Sequence, residues 1–204
     1  MFTSNFLPFL LTAILIELTP GPNMAWIALT GASVGKRAAL AATAGIALGL
    51  SVVGAATAFG LAELAQASPY LFALLRYAGA AYLLWLAWKA WEGKSDVSPE
   101  HAHNGNVRWF RHGLLLNLLN PKAALFFVAI LPSYVDSAAP IMPQTLLLSA
   151  TYVAVATLVH LLLALLAGRA HEWFERGQNA VLVRKACALL IAAVAIWFLI
   201  STAN

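Results

Sequence analysis

Apolar residues run along this chain in long unbroken blocks, not at the two-residue spacing of a strand. Six blocks stand out, at about 6–28, 39–62, 70–91, 111–134, 144–167 and 184–202. Each is close to the length that a helix needs to cross about 30 Å of hydrocarbon. Continuous rather than alternating apolar positions exclude a transmembrane barrel. The pattern predicts an all-α integral membrane protein with six transmembrane helices.

Two blocks carry residues foreign to a plain membrane anchor. The first contains Glu17-Leu18-Thr19-Pro20-Gly21-Pro22-Asn23. Pro20 cannot donate to the Ile16 carbonyl, nor Pro22 to that of Leu18. Thr19 and Gly21, each before a proline, are pushed away from helical dihedrals. These residues predict a broken helix with two free carbonyls closing its first half. Pro22 then opens the second half, leaving the amides of Asn23, Met24 and Ala25 without internal partners. The fourth block contains Asn117 and Asn120-Pro121-Lys122. Asn120 suits an N-cap and Pro121 the first helical position, and Pro121 frees the carbonyl of Asn117. A second half-helix is therefore expected to start near mid-membrane, its positive dipole end inward. Non-helical backbone at that depth is tolerated only inside protein or beside a watery cavity. In transporters such breaks often build the substrate site. A proline kink used only for packing is the plainer alternative.

Composition agrees with the blocks. Of 204 residues, 62% are hydrophobic and 10% charged, against roughly 45–50% and about 25% in soluble domains. The formal charge of +4 does not point to nucleic acid. The basic residues fall between blocks, where they act as topology signals. Lys36 and Arg37 lie in the first connection, Lys89, Lys94, Arg108 and Arg111 in and beside the third, and Arg169, Arg176, Arg184 and Lys185 in the fifth. The other connections and both termini carry none. The positive-inside rule places the odd connections in the cytoplasm and both termini outside. A re-entrant first block would move only the N-terminus inside. Trp85, Trp88, Trp91, Trp109 and Trp173 flank the cytoplasmic side, Tyr70 and Tyr134 the other. Met1 to Asn5 lack the basic start of a signal peptide, so the first block is expected to be retained. The lone Cys187 is expected to be a packing or lipid-facing residue.

The blocks divide three plus three around a polar segment, 93–110, which holds Pro99, His101 and His103 and reads as a cytoplasmic linker. Each half opens with a broken block. An odd number of spans inverts the second half, so 1–92 and 111–204 are expected to form inverted three-helix repeats of one membrane domain. The site then lies between them near the midplane. Gly45 and Gly49 make a GxxxG step, extended by Gly54 and Gly60. That stripe permits close helix contact within the chain or in a homodimer.

The candidate chemistry follows from charges placed in lipid. A lysine at the bilayer centre costs roughly 2.5–3.5 kcal/mol on the insertion scale, so Lys122 needs compensation. Glu17, at similar depth, can supply it. The two either form a structural salt bridge or face a cavity and serve both charges of a ligand, and substrate or protons could break the pair. Arg76 either lines an exit path or snorkels. His160, one turn from Thr157, either relays protons or bonds a neighbouring helix. His101 and His103 could hold a metal, but no Cys or carboxylate cluster joins them at ligand spacing. With no nucleophile–base set, metal motif or phosphate loop, an enzyme is not expected. The matching ligand has an ammonium, held by free carbonyls and Glu17, and a carboxylate, held by half-helix amides, Asn23 and Lys122. That describes a free amino acid.

Two stretches resemble a known family. Thr19-Pro20-Gly21-Pro22-Asn23, with Gly35-Lys36-Arg37-Ala38-Ala39-Leu40 and Gly45-Ile46-Ala47-Leu48-Gly49, resembles the N-terminal signature of the lysine-exporter (LysE/RhtB, homoserine/threonine exporter) family. Phe110-Arg111-His112-Gly113 through Asn117-Leu118-Leu119-Asn120-Pro121-Lys122 to Phe127 resembles its second signature. Order and spacing fit over essentially the whole chain, nearer the homoserine/threonine-like branch than the lysine type. The resemblance implies efflux of amino acids or close derivatives across the bacterial inner membrane, driven by the proton gradient with no other cofactor. The Pro-Gly-Pro-Asn and Asn-Pro-Lys residues carry over position by position, while the role of Glu17 rests on the physical argument. The expectation is export of a neutral amino acid by alternating access, with Glu17 taking up and releasing a proton. The alternative is an ion or divalent-metal exporter using His101, His103, His160 and Glu17.

Overall fold

The structure is a computed structural model that describes residues 2–61, 69–92 and 105–174, and positions 185, 186, 188, 189, 192, 193, 195, 196 and 200 in the last block. The first block folds as α1 (Phe2–Leu18) and α2 (Pro22–Val34), with a 52° bend between them. Gly21 stands extended as the N-cap and Pro22 occupies the first turn, as the proline pair requires. Helical spacing divides α1 into two faces. Leu7, Leu11, Leu15 and Leu18 are exposed, which suits lipid, whereas Phe9, Ala13 and Glu17 are buried. The row that seats Phe9 in the core thus carries Glu17 inside.

Gly35, with φ of 106°, reverses the chain in one residue between α2 and α3 (Lys36–Ala56). A π turn, Thr57–Leu61, extends α3. Then come α4 (Pro69–Glu92), α5 (Gly105–Leu118) and α6 (Pro121–Leu125), which continues through Phe126–Ile130 and Leu131–Tyr134. The long helix α7 (Ile141–Phe174) completes the described elements, and among the described residues there is no strand. Two helical stretches, Lys36–Gly60 and Ile141–His171, are each long and apolar enough to cross a membrane. The pairs α1–α2 and α5–α6, the latter bent by 47°, raise this to four if each pair is one span. Helix α4 is 24 residues long, about 36 Å, and coincides with the third block. Most of the sixth block lies outside the described residues.

Two boundaries differ from the sequence reading. Helix α5 begins at Gly105, inside the segment expected to be a linker. The reason is packing: Trp109 in its second turn lies against Trp26, with ring centroids 5.8 Å apart. His101 and His103 fall outside the described residues. Helix α7 runs past the apolar block to Phe174, because nothing in Arg169-Ala170-His171-Glu172 breaks a helix.

Small residues set the tightest seams. A Cβ added at Gly45 would collide with the Phe110 carbonyl, and one at Gly113 with the Ala42 carbonyl. At Gly49 it would meet Asn117 Nδ2 at 2.8 Å. The GxxxG face is therefore filled within the chain, by α3 against α5. A second seam joins α2 to α7, where a Cβ at Gly31 would meet that of Ala167 at 2.5 Å. His171 Nδ1 also lies 2.9 Å from the Ala32 carbonyl in this seam. Both seams tie an element of the first half to one of the second.

Candidate functional site

The two helix breaks face each other. At the first, the Thr19 amide and Oγ1 both donate to the Ile16 carbonyl, at 3.1 and 2.5 Å. This carbonyl, expected to be free, is thus taken up by a local turn. The carbonyl of Thr19 instead points across the gap and accepts a hydrogen bond from Lys122 Nζ at 2.8 Å. Lys122 lies over Gly21, its Cδ 3.1 Å from where a Cβ would stand. Thr19 and Pro20 are exposed, whereas Gly21, Pro22 and Asn23 are buried. The Ala25 amide donates to the Gly21 carbonyl at 3.0 Å, so it is not free as expected. An N-cap carbonyl accepts the first helical bond, and Gly21 fills that position.

At the second break, Asn120 Oδ1 accepts from the Lys122 amide at 3.0 Å, the expected N-cap, with Pro121 following. The Asn120 amide donates to the Asn117 carbonyl at 3.0 Å, which removes that carbonyl too from the free set. Asn23 Nδ2 donates to Asn117 Oδ1 at 2.9 Å and links the two breaks side chain to side chain.

Glu17 is only 4% exposed. Its partners come from α7: Tyr152 Oη donates to Oε1 at 2.5 Å, and His160 Nε2 lies 3.4 Å from Oε2. Among the described residues Glu17 makes no ion pair with Lys122, which is held by the broken backbone instead. The carboxylate and the ammonium nevertheless border one void, along with Gly21, Asn23, Asn120, Tyr152 and His160. That void measures about 10 Å³, room for about one water. Stacking fixes Tyr152: its ring lies 3.6 Å from that of Phe126, at 12°. Toward Tyr134 the site is sealed by Phe9, whose ring centroid is 5.9 Å from that of Phe126 and 5.4 Å from that of Tyr134. Thr12 Oγ1 and Tyr134 Oη share a hydrogen bond of 2.8 Å there.

The residues singled out in the sequence therefore converge. Glu17, Gly21, Asn23, Asn120, Lys122 and His160 line the void. Thr19 acts through its carbonyl and Asn117 through Asn23, while Pro22 and Pro121 start the half-helices. The Arg76 side chain lies outside the described residues. Tyr152 was missed. Its signal is a row at four-residue spacing, Tyr152-Ala156-His160, on an apolar helix. Also missed is a cluster at the basic end, where Tyr82 Oη and His112 Nδ1 share a hydrogen bond of 2.6 Å and Arg108 Nε donates to His112 Nε2 at 3.4 Å.

Residues 14–202, which include both breaks, match the family of LysE type translocators. This chain belongs to that family. It is similar to a homoserine/homoserine lactone efflux protein of Salmonella typhimurium, 31% identical over 91% of each chain. A leucine efflux protein of Klebsiella pneumoniae is 37% identical over 65% of this chain and 64% of its own. An uncharacterized membrane protein of Vibrio cholerae is 31% identical over 76% of each. No solved structure matches the chain. The family and the two efflux relatives are named for transport rather than catalysis, which agrees with the multi-pass apolar helices.

Proposed function

We propose that this LysE type translocator exports a small amino acid of no net charge from the cytoplasm. One observation carries the reading: a buried Glu17 and a half-buried Lys122, opposite charges beside the same void, are held by other groups and not by each other. A zwitterion supplies what each could exchange for its present partner. Its ammonium would replace Tyr152 and His160 at Glu17. Its carboxylate would draw Lys122 from the Thr19 carbonyl and meet Asn23 and Asn120. The efflux names of the relatives support the class of cargo.

A void the size of one water holds no amino acid, so this arrangement is an occluded one and transport requires α2 or α6 to move. Alternating access about the midplane suits such a site. Glu17 and His160 can share one proton across their 3.4 Å contact. In the proposed cycle, a proton arriving from outside neutralises Glu17 and releases the ammonium outward, and its loss inside resets the site. The halves 1–92 and 111–204 act as inverted repeats, each opening with a broken helix. The Lys and Arg distribution orients them in the inner membrane with both termini outside. A homodimer would need a surface other than the Gly45–Gly49 face, which α5 fills.

The test is export from cells preloaded with amino acids as dipeptides, with and without a protonophore. Excess release of one or a few neutral amino acids, lost when the gradient collapses, is the expected result. Glu17→Gln should abolish the gradient dependence. Gradient-driven export that survives this change would sink the coupling role.

A further inference from the structure

Seven buried side-chain atoms have no protein partner among the described residues. They are not scattered. Four lie on α2: Asn23 Oδ1, Trp26 Nε1, Thr30 Oγ1 and Ser33 Oγ. Positions 23, 26, 30 and 33 follow helical spacing and share one face. Asn117 Nδ2, across from Asn23, is a fifth, and Thr157 Oγ1 and His160 Nδ1 on α7 complete the set. Asn23, Trp26 and Thr30 are 6%, 4% and 1% exposed.

All seven lie at the site or on its basic side. From Asn23 the α2 face descends to Ser33, two residues before Gly35 and the Lys36-Arg37 pair. The opposite side differs. There Gln144 makes three hydrogen bonds, with the Asp136 amide, the Asp136 carbonyl and the Pro140 carbonyl, each at 3.0 Å. Ser149 Oγ reaches the Gly54 carbonyl at 3.4 Å, and Thr12 has Tyr134. Buried polar groups in native proteins are nearly always paired. A whole helix face of unpaired ones is a face built for contacts that another conformation supplies.

We propose that the Asn23-Trp26-Thr30-Ser33 face of α2 is the cytoplasmic half of the translocation route. It is closed here and lined by water and the passing zwitterion when α2 parts from α5. Trp26 is its plug. The ring packs against Trp109 at 5.8 Å and His112 at 5.9 Å, directly below the Asn23–Asn117 bond. The indole N–H and the hydroxyls of Thr30 and Ser33 then serve as successive partners for a carboxylate moving up from the basic end. The cargo in this proposal rests on the export reading. The route does not.

The test is cysteine accessibility in a Cys187→Ser background, with a membrane-impermeant methanethiosulfonate and vesicles of both orientations. Thr30→Cys, close in shape to the native residue, is the decisive site. Ile27→Cys, fully buried and packed in the cluster of Phe9 and Phe126 rather than in that of Trp26, is the reference. In inside-out vesicles Thr30→Cys should react at least tenfold faster than Ile27→Cys, and adding Trp26→Ala should raise its rate further. Equal rates at the two positions, or reaction of Thr30→Cys only from the outer face, would overturn the proposal. Size-exclusion profiles check that each variant is folded. The readout needs no transported substrate. A chain that labels at Thr30 but exports no amino acid would refute the export reading and leave the route standing.

Discussion

Glu17 can take its place because Tyr152 holds one carboxyl oxygen and His160 faces the other. Hydrogen bonds to a charged group contribute about 1.5–3 kcal/mol. If transport passes through this occluded arrangement, Tyr152→Phe should lower the initial export rate by about tenfold, with the ring stack on Phe126 and the fold intact. Flux from preloaded cells, normalised to protein in the membrane, measures this. Loss of the protein from the membrane would mean that the hydroxyl serves folding instead. Lys122→Met is expected to be harsher. It removes the cation beside a buried carboxylate and leaves the Thr19 carbonyl without its donor. No gradient-driven export should remain, whereas Lys122→Arg should retain part of it. Glu17 and Lys122 were legible in the sequence because a charge within an apolar block demands an explanation. Tyr152 was not, since a tyrosine in a membrane helix is amphipathic and common there.

The helix breaks were legible at the level of the element, and their hydrogen bonding was not. Proline forbids a donor, which a sequence shows. Whether the freed carbonyl then stays free depends on short-range competition, which it does not show. Thr19 folds back on Ile16, and Asn120 on Asn117, so both carbonyls are taken by residues three positions on. The carbonyl that reaches across the gap is that of Thr19. The cap at Asn120 is a checkable part of this geometry. Asn120→Ala should lower stability by about 1 kcal/mol, whereas Asn120→Asp keeps an acceptor for the Lys122 amide and should cost less. Thermal unfolding of the purified protein in detergent distinguishes them, and equal midpoints would refute the cap. The small-residue stripe admits a sharper check. At Gly45 the obstacle is the Phe110 carbonyl, a backbone atom that cannot rotate away. Gly45→Val should therefore destabilise by about 1–3 kcal/mol or more, as overpacking does. A neutral outcome would mean that α3 and α5 are less tightly joined than their backbones indicate.

On the scale of the whole molecule, the close seams constrain how it can move. Alternation is often a rocking of one repeat against the other. Here, however, Gly45 and Gly113 join α3 to α5, and Gly31 and Gly168 join the α2–α3 corner to α7. Each seam crosses from one half to the other, so two rigid halves cannot separate without breaking backbone-to-backbone contact. The interface between α2 and α5 is different. It is bridged by the Asn23–Asn117 hydrogen bond and the Trp26–Trp109 contact, and it carries unpaired polar atoms. Separation there costs one neutral hydrogen bond and the two ring contacts of Trp26 with Trp109 and His112, each worth only about 1 kcal/mol net. The expected motion is thus a parting of α2 from α5 while α3 stays with α5. Cysteines at positions 26 and 109, in a Cys187→Ser background, test it through a bifunctional methanethiosulfonate linker. Whatever export the unbridged double variant retains should stop on bridging and recover on reduction. Bridging that leaves export unchanged would show that α2 and α5 remain together throughout the cycle, and the opening would then have to be sought along α6.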